Sequence, residues 1–502
     1  MTALAGRMRS KAHRLASASW AVGLAAAAAT GIGLRVWVYR SSRGVPNSDE
    51  AVMGLMARHI IHGEVPTFFW GAAYSGSQEA LLSVPGFLIA GSGWLALRLV
   101  PITLSALAAL LVWRVGLRTV GEPAAAGGAA LFWIWPPFVI DQLTEEIGSY
   151  ASGVVYCGLL LLLALRIAER PDRIRVGLFG LALGLAFWET PQIIPIAAGV
   201  IAWLIWRVPS WLRQLWVAVP LAALGSLPWI IWNVTHGLGS LSVQSGGSSS
   251  YAHRLRLFFS PVMPMIAGLR TPFTQERLLP ASLTFLIYAA LVALFIAGAY
   301  RARHRSSSLL YLVAAVFPFV YAVGAQAVIS NEPRYVVILT PVLALLVAQG
   351  MTTRPRAAAV LLAAAAVSIV TLHRTAAVPT AQPIAPRDLS PLISTLDKLH
   401  LDRVYASYWV AYVLDFDTRE RIIAVENKFD RVAFVNGQAI PADDPFVKYP
   451  PYEREVKAAR HGFLFFRKSV GSIPIVARLE QHGYHRYLVG GFVVFAPPGG
   501  SG

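Results

Sequence analysis

The chain has 502 residues, 56% of them hydrophobic and only 14% charged, with a mean hydropathy of +0.56, which is more apolar than a soluble core of this size requires. A formal charge of +17 invites a nucleic-acid reading, but residues 375–502 carry 15 Lys and Arg against 13 Asp and Glu, and the surplus of the first 374 residues falls in short clusters between apolar segments, as membrane topology signals do. Nucleic acid is thereby excluded as a partner, and the one cysteine, Cys157, lies in an apolar run and excludes a disulfide framework or a cysteine-based metal site.

Segments long enough to span a bilayer, roughly 17 to 25 residues each, are expected near 17–39, 94–117, 123–140, 147–168, 174–188, 191–206, 214–233, 281–300, 308–329, 335–350 and 356–373. These make about eleven transmembrane helices. The pair near 180 and 197 is short, split by Glu189-Thr190-Pro191-Gln192, and also reads as one broken helix. Cytoplasmic loops retain Lys and Arg, and a cytoplasmic start places 17 of them alternately inside: Arg7, Arg9, Lys11 and Arg14; Arg114 and Arg118; Arg166, Arg170, Arg173 and Arg175; Arg207 and Arg213; Arg301, Arg303 and Arg305; Arg354 and Arg356. Ten of the 13 acids of this region then lie outside. The first span has a basic flank and an alanine-rich middle, so a cleaved signal peptide competes with a retained helix anchored by Trp37 and Tyr39.

The first outer loop, residues 40–93, carries its own structure. Asn47 is placed to cap a helix from 49 to about 62 with Glu50 at its third position, and Val52, Met53, Leu55, Met56 and Ile60 would share one face. That pattern predicts an amphipathic helix lying on the membrane surface. Residues 79–91 are apolar, too short to span and interrupted by Pro85, which suggests a second interfacial or re-entrant piece. Further outer loops are expected at 141–146, 189–192, 234–280 and 330–335, the third with a serine-glycine tract of linker composition. Residues 375–502 alternate strand-like runs ("DRVYAS", "RIIAV", "GFLFF", "YHRYLVGGFVVF") with helical ones at 388–400, 452–460 and 473–482, so a small extracytoplasmic α/β domain is expected beside a transmembrane domain of 1–374.

The adjacent acids Asp49 and Glu50 open the first outer loop, Glu145 and Glu146 stand in the second, and "NEPRY" opens a late helix. This arrangement resembles the GT-C glycosyltransferases, most closely the protein mannosyltransferase and aminoarabinose transferase type, over residues 17–374. The resemblance implies inverting transfer of a sugar from a polyprenyl-phosphate donor to a hydroxyl of a lipid, glycan or protein acceptor at the outer face of the cytoplasmic membrane. It assigns Asp49 as general base, with Glu50 as second choice. Arg334, Arg58 and Tyr335 are the expected donor-phosphate residues, since guanidinium matches phosphate bidentately. Glu145 and Glu146 would orient the acceptor or bind a divalent cation through oxygen ligands, and no other cofactor is called for. Against these roles stand plain ones: helix capping for Asp49, solvated loop charges for Glu145 and Glu146, an ion pair of Arg334 with Glu332, an aromatic-belt position for Tyr335, and surface exposure for His59 and His62. A His-Pro-Pro pattern found in the family is missing after the loop helix. The rival classes are a multi-pass transporter, which would carry midplane charges and a half-repeat, an oligosaccharide ligase or polymerase using the same carriers, and a membrane scaffold.

Overall fold

The computed structural model describes residues 2–242, 249–377, 385–435 and 438–499; the serine-glycine tract at 243–248 lies outside them. The chain forms two compact units, Met1–Arg43 with Pro101–Glu145 and Ser149–Ala377, and Gly44–Val100 with Glu146–Gly148 and Val378–Gly502. The first outer loop therefore belongs with the C-terminal residues rather than with the membrane helices, a division that the linear boundary at 374/375 does not capture.

In the first unit each of the eleven expected segments is helical, but not all are continuous. Among the described residues five helices are long and apolar enough to cross a membrane: Trp20–Arg40, Trp94–Thr119, Tyr150–Glu169, Ala281–Ala302 and Arg354–Ala377, the second of which begins in the other unit. A sixth arises if Ile193–Arg207 and Pro209–Gly225, bent by 111°, form one span. The others are shorter or divided: Ala124–Ile134 ends before Pro137–Gln142, Leu215–Gly225 before Leu227–Thr235, and Thr340–Ala348 follows a 3-10 turn, Arg334–Leu339. Eleven crossings thus do not follow from helix length alone.

Two devices hold this unit together. Glycines let Arg173–Glu189 and Leu215–Gly225 approach at backbone distance: a Cβ on Gly180 or Gly184 would fall 2.2 or 2.0 Å from the carbonyl oxygens of Ala218 and Ala222, the small-residue packing of helices in lipid. The second device repairs a break. Pro136 and Pro137 have no N–H, so the carbonyls of Phe132 and Trp133 lose their helical donors. Buried Arg35 donates Nη1 to the Trp133 oxygen at 3.0 Å and Nη2 to Ser105 Oγ at 2.8 Å, and stacks 3.7 Å over the Trp133 ring. Ser368 Oγ donates to the next carbonyl, Ile134, at 2.7 Å. An arginine inside a span, by default a transport signal, here has a structural account. Cys157 is fully buried in the same core, as its packing role requires.

The second unit centres on a five-stranded mixed sheet. Its strands are β1 (Arg403–Ala406), β2 (Ile423–Glu426), β5 (Gly462–Phe466), β6 (His485–Val489) and β7 (Phe492–Ala496), in the order β2-β1-β5-β7-β6, while β3 (Val432–Val435) and β4 (Gln438–Pro441) form a separate antiparallel pair. β1 runs parallel to β2 and β5, and β7 antiparallel to β5 and β6. The expected strand runs and helices are all present. The helix Tyr408–Asp417 was not expected, because its run of tyrosine, tryptophan, valine and phenylalanine favours strand over helix.

The helix Ser48–Ile61 forms as the sequence requires, with Asn47 Oδ1 accepting the Glu50 N–H at 3.1 Å. Its expected amphipathic surface role is corrected. It is buried from Glu50 to Arg58 between Gln78–Ala90 and Tyr408–Asp417, and a Cβ on Gly54 would come within 2.4 Å of the Phe416 ring. Its apolar residues read as one face, yet the opposite side, with Glu50, Gly54, Ala57 and Arg58, is also covered by the rest of this unit. The short apolar piece is the helix Gln78–Ala90, with Leu82, Leu88 and Ile89 exposed.

Candidate functional site

Asp49 and Glu50 differ by about 100° around the same helix turn, and they meet different environments. Glu50 is fully buried against buried Arg98, with Nε to Oε1 at 2.5 Å and Nη2 to Oε2 at 2.6 Å; Arg98 also donates to the Gly44 carbonyl at 2.8 Å. A bidentate pair uses both carboxylate oxygens, so Glu50 is a structural anion and its expected catalytic role is corrected. Asp49 is half-buried and accepts a short hydrogen bond on Oδ1 from the Tyr408 hydroxyl. Among the described residues no cation pairs with it. Burial, and then the charge of Asp49, hold the Tyr408 pKa well above the ordinary tyrosine value, so the phenol stays a donor. The Ser48 hydroxyl bonds the Tyr408 carbonyl, fixing the same residue through its main chain. Asn47, not Asp49, supplies the cap.

The network continues one helix turn along. Tyr412 lies beside Tyr408, with ring centroids 5.9 Å apart, and bonds Glu426, whose carboxyl burial pushes up to about 7 against the opposing pull of Tyr412 and Lys448.

Arg58 is corrected as a phosphate ligand. Its guanidinium is buried, donates to the carbonyls of Phe416 and Ser92 at 2.8 and 3.1 Å, and stacks 3.9 Å over the Phe416 ring. His59 is likewise not a surface histidine. Its two ring nitrogens meet Glu64 at 2.8 Å and Glu420 at 2.7 Å, within a cluster of Trp70, Tyr449 and Tyr452. Burial alone would lower its pKa, but the bonds to Glu420 and Glu64 outweigh it and hold the imidazole above the ordinary value. His62 is exposed, as expected.

In the first unit, Arg43 Nη2 meets Asp141 Oδ2 at 2.6 Å, with Glu145 and Glu332 near enough to reinforce its charge after Asp141, and its guanidinium lies 5.1 Å from the Phe273 ring. Asp141 sits at the end of the short helix Pro137–Gln142 rather than in a loop. Arg334 pairs with Glu332 at 3.2 Å, so the plain ion pair holds for it, and Tyr335 is buried in this unit's core instead of an aromatic belt. Glu145 is half-buried in the first unit and Glu146 fully buried in the second. Among the described residues no group of three or more His, Cys, Asp or Glu is arranged to hold a metal ion.

Sequence reading missed Tyr408, Arg98, Arg43 and Asp141. Arg98 had a signal, a lone charge in the apolar run "WLALRLV" at the start of a span. Tyr408 had none, since its partner is 359 residues away.

Broken apolar helices, a loop helix opened by two acids and a C-terminal α/β fold together describe the chain. No family model matches the sequence, and no curated protein is significantly similar to it. Among solved structures the chain is similar to ArnT from Cupriavidus metallidurans, in the apo state (TM-score 0.64, 14% identity, 96% of this chain and 98% of that one) and bound to undecaprenyl phosphate (TM-score 0.62, 14% identity, the same shares). It is also similar to the Archaeoglobus fulgidus oligosaccharyltransferase in complex with zinc and sulfate (TM-score 0.55, 15% identity, 94% of this chain and 73% of that one). At these identities the likeness establishes a fold shared with these membrane proteins.

Proposed function

We propose that the chain is an integral membrane glycosyltransferase that moves a sugar from a polyprenyl-phosphate donor to an acceptor hydroxyl with inversion, Asp49 being the general base. The observation that carries this reading is the contrast within one dipeptide: Glu50 is consumed by Arg98, while Asp49 keeps a carboxylate oriented by Tyr408 and paired with no cation among the described residues. The acceptor oxygen attacks the anomeric carbon and gives its proton to Asp49, and the bond from that carbon to the phosphate oxygen breaks, so that polyprenyl phosphate leaves with the bonding pair. The likeness to ArnT bound to undecaprenyl phosphate supports lipid-linked donors as a class. The charge clusters support eleven crossings with the N-terminus cytoplasmic and residues 375–502 outside.

The test is Asp49→Asn. An amide takes the same volume and accepts the Tyr408 bond but takes no proton, so transfer from a polyprenyl-phosphate sugar to acceptor falls about 10²–10⁴-fold while donor binding and thermal stability stay near wild type. A variant at normal speed would remove Asp49 from the chemistry.

A further inference from the structure

Lys448 stands apart among the cations of the second unit. Its main chain is fixed, the amide donating to Tyr412 Oη at 3.0 Å and Glu426 Oε1 at 3.1 Å. Its stem crosses Gly71, where a Cβ would come within 2.7 Å of Lys448 Cδ, so a residue without a side chain is what lets the lysine pass. The ammonium lies 5.5 Å from the ring centroids of both Phe69 and Tyr408. Neighbouring lysines have carboxylate partners, Lys457 with Asp443 at 2.7 Å and Lys428 with Asp444 at 4.0 Å. Half-buried Lys448 has no ion pair among the described residues.

The ring that faces this ammonium belongs to Tyr408, whose hydroxyl goes to Asp49. One tyrosine therefore contacts both a carboxylate and a cation that have no ion pair among the described residues. The two other buried cations near the loop helix are committed, Arg98 to Glu50 and Arg58 to two carbonyls. Glu426 attracts this ammonium, but with its carboxyl pushed up to about 7 it carries only part of a charge at neutral pH.

We propose that Lys448 is an anion-binding residue that holds the phosphate of the polyprenyl-phosphate donor beside Asp49. This rests on the reading of the chain as a polyprenyl-phosphate-dependent transferase. In transfer, negative charge grows on the phosphate oxygen that leaves the sugar, and an ammonium beside a part-charged Glu426 stabilises that charge. Lysine acts here as a compact point charge on an aliphatic stem, which the narrow passage over Gly71 admits.

The test measures equilibrium binding of undecaprenyl phosphate, undecaprenol and inorganic phosphate to the full chain in zwitterionic nanodiscs. Wild type binds the phosphorylated lipid more tightly than the alcohol and than free phosphate. Lys448→Met keeps the stem against Gly71 and loses the preference for phosphate over alcohol by about tenfold or more, the worth of a charge-assisted bond. Lys448→Arg retains most of it, and Lys457→Met changes nothing. If Lys448→Met binds both lipids as wild type does, or if Lys448→Arg loses as much as Lys448→Met, the assignment to Lys448 fails and the donor class stands. If wild type itself does not distinguish phosphate from alcohol, the donor class fails.

Discussion

Replacing Glu50 by Gln should damage stability where replacing its neighbour damages rate. The pair with Arg98 is fully buried, 0% and 1% exposed, and is made of two short N–H···O bonds. The amide cannot neutralise Arg98, whose bond to the Gly44 carbonyl at 2.8 Å supplies no countercharge. Removing one partner of such a pair costs about 3–5 kcal/mol, since the other charge stays buried without compensation. For a unit of this size each kcal/mol moves Tm by about 2–4 °C, so the unfolding transition of the purified chain in detergent falls by roughly 10 °C. Adding Arg98→Met removes the orphaned charge and recovers much of the loss, because an apolar replacement of a whole buried pair is close to neutral. At a temperature where the single variant is folded, transfer is little changed, the reverse of Asp49→Asn. A Glu50→Gln melt within a degree or two of wild type, or a double variant no better than the single one, would refute the buried-pair account.

Three further outcomes can be checked. The folded pKa of His59 lies above its ordinary 6.5, so its contribution is complete below that value and lost as pH rises through the folded one; raised Glu426 also favours low pH, but only between about 4.5 and 7. Thermal melts from pH 7 to 9 should therefore fall more steeply for wild type than for His59→Gln, and parallel curves would dismiss the Glu64–His59–Glu420 bridge as a contributor. Gly184→Ala, which in an isolated helix would gain about 1 kcal/mol, should instead destabilise by about 1–3 kcal/mol because its Cβ meets the Ala222 carbonyl; a stabilised variant would mean the two helices are not in backbone contact. A reporter active only in the cytoplasm, fused after Gly502, should be silent, and a strong signal would reverse the proposed orientation.

Local chemistry made much of the fold legible. Asn47 announced a cap, apolar runs announced helices, and the short aromatic and β-branched runs "GFLFF" and "YHRYLVGGFVVF" announced strands, because each depends on residues within a few positions of one another. What could not be read depends on distant partners. Nothing in "SDEAV" distinguishes the acid that Arg98 consumes from the acid that Tyr408 orients, and nothing in the loop helix says that Tyr408–Asp417 covers the side a membrane surface would leave wet. Arg58 looked like a free cation because its partners, the carbonyls of Phe416 and Ser92, carry no signature of pairing in sequence, whereas Glu332 beside Arg334 could be read directly. The breaks at Pro136 and after Gly225 were hidden for another reason: hydropathy measures what lipid tolerates, not whether a helix continues.

The repaired break after Ile134 has a bearing on how the membrane unit is assembled. The donors that satisfy Trp133 and Ile134 come from Arg35 and Ser368, residues 234 positions of chain removed from Ile134 in the second case. A carbonyl facing lipid without a donor is costly, so the segment Ala124–Ile134 reaches its final state only when Arg354–Ala377, the last long apolar helix, has arrived beside it. The first and last long apolar helices of the unit thus act as a clasp on a helix that lies between them in the chain.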